Sequence, residues 1–405
     1  MLITYDESLD QSAKIKVVGV GGAGGNAINR MIRNHLKGVE FIAVNTDAQA
    51  LNSNLADTKL QIGREYTRGL GAGAIADTGR KAAEESKEML VKVLEGSDLV
   101  FITAGMGGGT GTGAAPVIAE ISRDLGALTV GIVTKPFLFE GPSRMKRANE
   151  GILELKKHVD TLIVIKNQKL LEIVNTDTVI DEALYTADSI LNQATSGISD
   201  LITQTGIINL DFADIKTIMQ NMGDAVVGTA EASGPSRAVM AASMAISSPL
   251  LDNVSIKGAR GILINFTGGP DMKLSEIHEA SEIIHQEAGE ESDSNIIFGM
   301  IVDENLSDVI RVTVIATGFN QEAMSQKIEH PQPDVPKPSV RVDPPQNTQT
   351  DILNKDPMEK KEKRKETETH STERVQEELF TAFTSSDPDD KETPTWIRKQ
   401  KYLSK

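Results

Sequence analysis

The chain has 405 residues, a formal net charge of −16 and no cysteine. Its length suggests two folded domains and a tail rather than one core. The missing thiols exclude a disulfide framework, a thiolate nucleophile and any zinc site that needs sulfur, and the acidic balance argues against general nucleic-acid binding. Apolar residues make up 39% but aromatics only 4%, so a core is expected to be aliphatic. No apolar run reaches the roughly 18 residues of a membrane helix. Residues 1–14, with Asp6, Glu7 and Asp10, lack the basic and apolar start of a secretory signal.

In chain order, residues 1–14 read as an N-terminal extension. An apolar strand is predicted at Ile15–Val20, then a glycine turn and a helix over 26–36. A strand at Val39–Asn45, a helix over 78–94 and a strand over 99–104 follow. A second glycine loop leads to a helix over 116–125, a strand over 128–133, a helix over 143–158 and a strand at Thr161–Lys166. This alternation predicts an α/β class with a parallel sheet covered on both faces across 15–177, and ligands at the strand C-termini. A long helix over 178–204 reads as a divider. Beyond it, helices over 212–222, 236–245 and 274–287 mix with strands over 261–267, Asn295–Val302 and Val309–Thr317, a smaller α/β second domain spanning 205–319. Every glycine lies at or before Gly318, whereas nine of the 15 prolines lie after it. Residues 320–387 cannot bury enough apolar surface to offset chain entropy and read as a disordered linker. Residues 388–405 regain Trp396, Ile397, Tyr402 and Leu403. The last 86 residues hold 17 acidic and 15 basic groups, so nearly all the negative charge belongs to the first 319.

Two glycine loops carry the chemistry. The first, Gly19, Gly21, Gly22, Ala23, Gly24, Gly25 and Asn26, follows a strand and opens a helix. Glycines let backbone amides approach a phosphate, and a helix N-terminus adds partial positive charge. Gly19, Gly21 and Gly24 also spell the dinucleotide fingerprint, with Asp47 placed for a ribose. Alone, this loop leaves a dinucleotide site, a mononucleotide site and a tight turn open. The second loop, with Gly105, Gly107, Gly108, Gly109, Thr110, Gly111, Thr112 and Gly113, also joins a strand to a helix. Two such loops on adjacent strands point to a longer phosphate chain gripped from two sides. Neither has the lysine of a Walker-A loop, so a cation must offset the charge, and Mg2+ suits phosphate oxygens and water.

The G-G-G-T-G-T-G run resembles the tubulin-superfamily phosphate loop. From residue 15 to 319 the chain is similar to the FtsZ family of bacterial, tubulin-like cell-division GTPases. The likeness also rests on V-N-T-D-A-Q-A-L at 44–51, G-L-G-A-G at 69–73, V-T-K-P-F at 133–137, F-E-G at 139–141, N-L-D-F-A-D at 209–214, A-I-S-S-P-L-L at 245–251 and V-T-V-I-A-T-G at 312–318. The resemblance implies a tubulin-like fold: a parallel-sheet GTP-binding domain and a smaller α/β domain joined by a long central helix. It assigns GTP and GDP to Gly21, Gly22, Ala23, Gly24, Gly25, Gly105, Gly108, Gly109, Thr110, Gly111 and Thr134. Ala72, Gly73 and Ala74 would close near the γ-phosphate. Glu140 and Arg144 match ribose and phosphate contacts, and Asn26, Asn167 and Asp188 the groups that read guanine. Guanine presents two adjacent donors that one carboxylate can accept, whereas adenine lacks that pair. Leu184 stands where the family usually stacks an aromatic on the base.

Locally, Asp211 reads as a helix N-cap with Asp214 near the positive end. The resemblance adds that Asn209, Asp211 and Asp214 complete the nucleotide site of the next subunit, so that hydrolysis needs head-to-tail polymerisation. It further implies that Pro394, Trp396, Ile397, Arg398 and Lys399 form a C-terminal peptide that binds membrane tethers and regulators. The protein is then expected in the cytoplasm, in the division ring at the inner face of the membrane, with no membrane span and no nucleic acid. Competing readings are an NAD-dependent oxidoreductase built on the first loop and a filament protein that binds GTP without hydrolysing it.

Overall fold

Short Val- and Ile-rich runs make the strands here, because β-branched side chains pack on a pleated surface and strain a helix. The computed structural model describes residues 13–171, 180–204, 206–208, 210–248, 251, 256–289, 294–304 and 306–319, the side chains of 180–185 excepted. Residues 1–12 of the N-terminal extension, the linker, the C-terminal peptide with Pro394, Trp396, Ile397, Arg398 and Lys399, and Asn209 lie outside the described residues, as does the Leu184 side chain.

The elements run β1 (Ile15–Val20), α1 (Gly21–Arg33), β2 (Val39–Asn45), α2 (Ala48–Asn52), β3 (Thr58–Gln61), α3 (Arg64–Thr67), α4 (Ala76–Glu85), α5 (Lys87–Leu94), β4 (Leu99–Gly105), α6 (Thr110–Asp124), β5 (Leu128–Lys135), α7 (Pro142–Leu155), β6 (Thr161–Lys166) and α8 (Asn167–Leu170). There follow α9 (Ile180–Thr203), α10 (Phe212–Met219), β7 (Gly223–Ser233), α11 (Arg237–Ile246), β8 (Gly261–Gly268), α12 (Leu274–Ala288), β9 (Asn295–Val302) and β10 (Val309–Thr317). All ten strands form one sheet in the order β3-β2-β1-β4-β5-β6-β7-β10-β8-β9. Only β10 runs antiparallel to its neighbours. The expected second α/β unit is therefore joined edge to edge with the first, through Thr161 to Ile163 of β6 against Gly223 to Ala225 of β7.

Alternation along the central strands feeds two cores. Val17, Phe101, Ile132 and Ile163 face α1, α9 and α10, while Val18, Ile102 and Val133 face α4 to α7. A third cluster lies under α11 and α12. Four expectations need correction. The helix expected from 26 begins at Gly21, so most of the first glycine loop forms its first turn. The helix expected over 78–94 breaks at buried Ser86, whose hydroxyl accepts the Gly63 amide. The helix expected from 116 begins at Thr110, so the T-G-T-G run is its first turn and not loop. Strand β7 was not expected at all. Its Gly- and Ala-rich run has weak strand propensity, and it is held by ladders to β10 and β6.

Candidate functional site

Val17, Val18 and Val20 of β1 pair with Phe101, Ile102 and Ala104 of β4 in register, so both glycine loops leave the sheet side by side. A side chain on Gly21, at φ +73°, would be strained, and its Cβ would lie 3.0 Å from the Gly111 amide. The loops touch at that point. Thr46, at the end of β2, bonds hydroxyl to hydroxyl with Thr110 at 2.7 Å, both groups buried. The Thr112 hydroxyl accepts the Gly107 amide at 2.9 Å, and the Thr134 carbonyl accepts the Met106 amide at 2.9 Å. These bonds fix the second loop against β2 and β5.

A third segment closes on the same place. A Cβ on Gly109 would meet that of Ala72 at 2.7 Å and the Ile75 amide at 3.0 Å. Gly73 and Ala74 follow with φ of +58° and +60°. A left-handed alanine stores strain that its surroundings must hold. Gly22 and Gly108 differ from their neighbours, since nothing lies within 4 Å of a Cβ on either. Open space therefore lies in front of both loops. Gly24 and Gly105 are used for packing: a Cβ on Gly24 would sit 2.4 Å from the Thr103 carbonyl, and one on Gly105 2.6 Å from the Ala23 Cβ.

The electrostatics of this space come from two helix ends. Helix α1, of 13 residues, and α6, of 15, both start here. Neither has a side-chain cap, and neither has an acidic residue in its first turn. Uncapped N-termini leave free N–H donors and a partial positive charge. Two of them converging make an anion site of unusual donor density. Arg144 lies beside it, with its backbone packed on Gly107, and pairs with Glu140 at 3.0 Å. The other Glu140 oxygen accepts the Phe137 amide at 2.8 Å.

Three further polar groups named from the resemblance as guanine readers lie on α1, α8 and α9. Asn26 is exposed on α1. Asn167 is buried where β6 becomes α8, and its side-chain oxygen has no hydrogen-bond partner among the described residues. Asp188 lies on α9, and burial pushes its carboxyl up to about 6 while Arg30, at 3.9 Å, pulls it back down. A buried carboxylate and an orphaned amide oxygen together ask for donors.

Asp211 and Asp214 are elsewhere. Asp211 caps α10, its carboxylate accepting the Asp214 amide at 2.9 Å. The far end of α10 sits at the N-terminal edges of the strands, where the Thr161 hydroxyl bonds the Met219 carbonyl and the Thr317 hydroxyl the Ile218 carbonyl. Helix α9 runs between the two regions. It passes α8 near the C-terminal end of β6 and ends with Thr203 against Gly38, just before β2 begins. Its 24 residues span about 36 Å. The acidic turn thus follows the end of α9, whereas the glycine cradle lies at the strand C-termini toward its start. Thr46 and Arg30 were not singled out from sequence. The position of Thr46 at a strand C-terminus is the one signal that could have found it.

Residues 14–175 match the GTPase domain of the Tubulin/FtsZ family, and residues 223–320 match the C-terminal domain of the FtsZ family. The chain belongs to the FtsZ family. An empty FtsZ dimer from M. jannaschii is 48% identical, with a TM-score of 0.73 over 77% of this chain and 90% of that one. A mutant of M. jannaschii FtsZ is 47% identical, again with a TM-score of 0.73, over 77% of this chain and 93% of that one. CetZ2 from Haloferax volcanii, solved as a GTPγS-bound protofilament, is 19% identical with a TM-score of 0.64 over 77% of this chain and 96% of that one, and shares the fold alone. The cradle lies within the matched FtsZ GTPase domain, which is a GTP- and GDP-binding domain.

Proposed function

We propose that this FtsZ-family chain binds GTP in the cradle and hydrolyses it only when a second subunit supplies the acidic turn. The observation that carries the reading is the pair of uncapped helix N-termini, free of acid, converging in a strongly acidic protein. One loop would suit a pyrophosphate. Two, with 72–75 closing over them, suit a triphosphate. Asn167 and Asp188 then select guanine, whose adjacent N1–H and 2-amino donors satisfy them.

The cradle offers amides and hydroxyls, and no group of three or more His, Asp or Glu converges among the described residues. Mg2+ fits such a site, held by phosphate oxygens and water near Thr110, where it would neutralise charge on the phosphates. The protein's own part in the reaction is positioning. Amides of Gly22, Gly108 and Gly109 hold the γ-phosphate in place. Carboxylates of a neighbour's Asp211 and Asp214 accept hydrogen bonds from a water and aim it at the γ-phosphorus. The bond from that phosphorus to the β,γ-bridging oxygen breaks, leaving GDP and phosphate.

Head-to-tail assembly fits the surface. Leu70, 86% exposed, and Phe139, 72% exposed, lie in segments that leave strand C-termini near the cradle. Ile207, 68% exposed, follows the far end of α9, beside Met300. Exposed apolar groups at both ends suit a contact between unlike faces, which can propagate as a filament. The relative from M. jannaschii was solved as a dimer. In a cell such filaments would form the division ring at the inner face of the membrane, tethered through Pro394 to Lys399.

Thermal melting with GTP, ATP and NAD tests the nucleotide. GTP is expected to raise Tm most; protection by NAD and not GTP would sink the proposal. Phosphate release tests the chemistry: Asp214→Ala is expected to lower turnover at least about a hundredfold with GTP binding retained. Full turnover in that variant would remove Asp214 from the mechanism, and no turnover in the unaltered protein would leave a filament protein that only binds GTP.

A further inference from the structure

Helix α9 crosses α1 close to the base-facing end of the site, and there Arg30 faces Asp188. Nε lies 3.9 Å from Oδ2, with the two side chains only 16% and 20% exposed. That gap is too long for a hydrogen bond, so the two interact through charge. Arg30 follows Asn26 by four residues, one helical turn further along the same face of α1. One stripe of α1 thus carries a group that meets the base and, behind it, a charge that meets the base-reading carboxylate. We propose that Arg30 is a positioning residue for guanine, keeping Asp188 in the ionised form that accepts both the N1–H and the 2-amino group. This inference rests on the reading of Asp188 as the guanine-facing residue.

The chemistry demands such a group. A protonated carboxyl would turn an O–H donor toward an edge made of donors, and lose an acceptor it needs. Burial alone drives Asp188 toward that wrong form, and its carboxyl is already up at about 6 with Arg30 in place. Of the elements packed on α9, α1 brings Arg30 and, further along, Arg33, and α8 brings Lys169. Strands β5, β7 and β9 bring aliphatic side chains such as Ile132, Val227 and Ile301. Among the described residues only Arg30 acts on the carboxyl by charge. Without it the proton would be held to higher pH, into the neutral range.

The test is calorimetric titration of the nucleotide-free full chain with GTP and with ITP, which lacks the 2-amino group, at pH 6.5 and pH 8.5. Arg30→Gln is expected to bind GTP about five- to tenfold more weakly than the unaltered protein at pH 6.5, and within about twofold of it at pH 8.5. Its preference for GTP over ITP should shrink at pH 6.5 and return at pH 8.5. Arg30→Lys, which keeps the charge, should follow the unaltered profile. An equal loss at both pH values means a packing role and overturns the inference, as does no loss at either, or an Arg30→Lys profile matching that of Arg30→Gln. Arg30→Met keeps the apolar stem and replaces the Gln variant if that one does not fold. Failure of the unaltered protein to bind GTP at either pH would defeat the guanine reading itself, a result distinct from a flat pH profile in the variants.

Discussion

Glycines of one loop do opposite jobs, and single substitutions should separate them. Gly24 has no room for a Cβ against the Thr103 carbonyl and the Gly19 backbone. Gly24→Ala is therefore expected to cost more than about 3 kcal/mol, read as lost soluble protein or a collapsed Tm. Gly22 is helical and open. Gly22→Ala should stabilise the free protein by up to about 1 kcal/mol, while a methyl in front of the amides weakens GTP binding by about tenfold or more. Denaturant melts alongside GTP titration will show whether stability and affinity move in opposite directions. Asp200 on α9 belongs to a different argument. Burial pushes its carboxyl up to about 6; bonding to Gln204 and the Arg311 charge act the other way, and Asp303 raises it further. A folded-state value above the unfolded one gives stability that is full below about pH 4 and lost as pH rises through about 6. Asp200→Asn is thus expected to raise unfolding free energy at pH 7.5, on the order of 2 kcal/mol, and to change it little at pH 4. Equal effects at the two pH values would show that the charge is not responsible.

Helix starts decide more of this site than side chains do, and they were the hardest part to read in sequence. Strand positions were legible because aliphatic runs bounded by glycine have little else to form, and Ile15–Val20, Val39–Asn45 and Thr161–Lys166 stand where expected. The start of α6 was not legible. A T-G-T-G run has poor helix propensity, and it is helical because α4 lies against it so closely that a Cβ on Gly79 would touch the Gly109 carbonyl. Sequence offered both loops as candidate phosphate binders, but could not show that their helices start uncapped and meet. Arg30 was invisible because its partner is 158 positions away, and spacing along one helix cannot show a crossing. At Asp211 the local reading and the functional one coexist. The residue caps α10, so Asp211→Ala is expected to cost about 1 kcal/mol besides its effect on hydrolysis. Asp211→Ser keeps a capping oxygen without a carboxylate. It should restore most of that stability in urea melts yet stay deficient in phosphate release; recovery of turnover in the Ser variant would reduce Asp211 to a cap.

For the whole molecule the decisive fact is a separation. One continuous sheet carries the cradle at one end, and the 24-residue α9 leads away from it to the acidic turn. The cradle lies toward the start of α9 and Asp211 and Asp214 follow its end, and because α9 spans about 36 Å, rotating side chains does not unite them within one subunit. The surface agrees, with exposed Leu70 and Phe139 toward one end and Ile207 toward the other. On the proposed reading, a chain built this way holds two halves of two different active sites. Its turnover must then depend on how many subunits meet, which a self-contained enzyme's would not. The most direct measurement is phosphate release per subunit at saturating GTP across a hundredfold range of protein concentration. The account predicts almost none below a threshold concentration and a steep rise above it. A rate per subunit that stays constant across the range would contradict it.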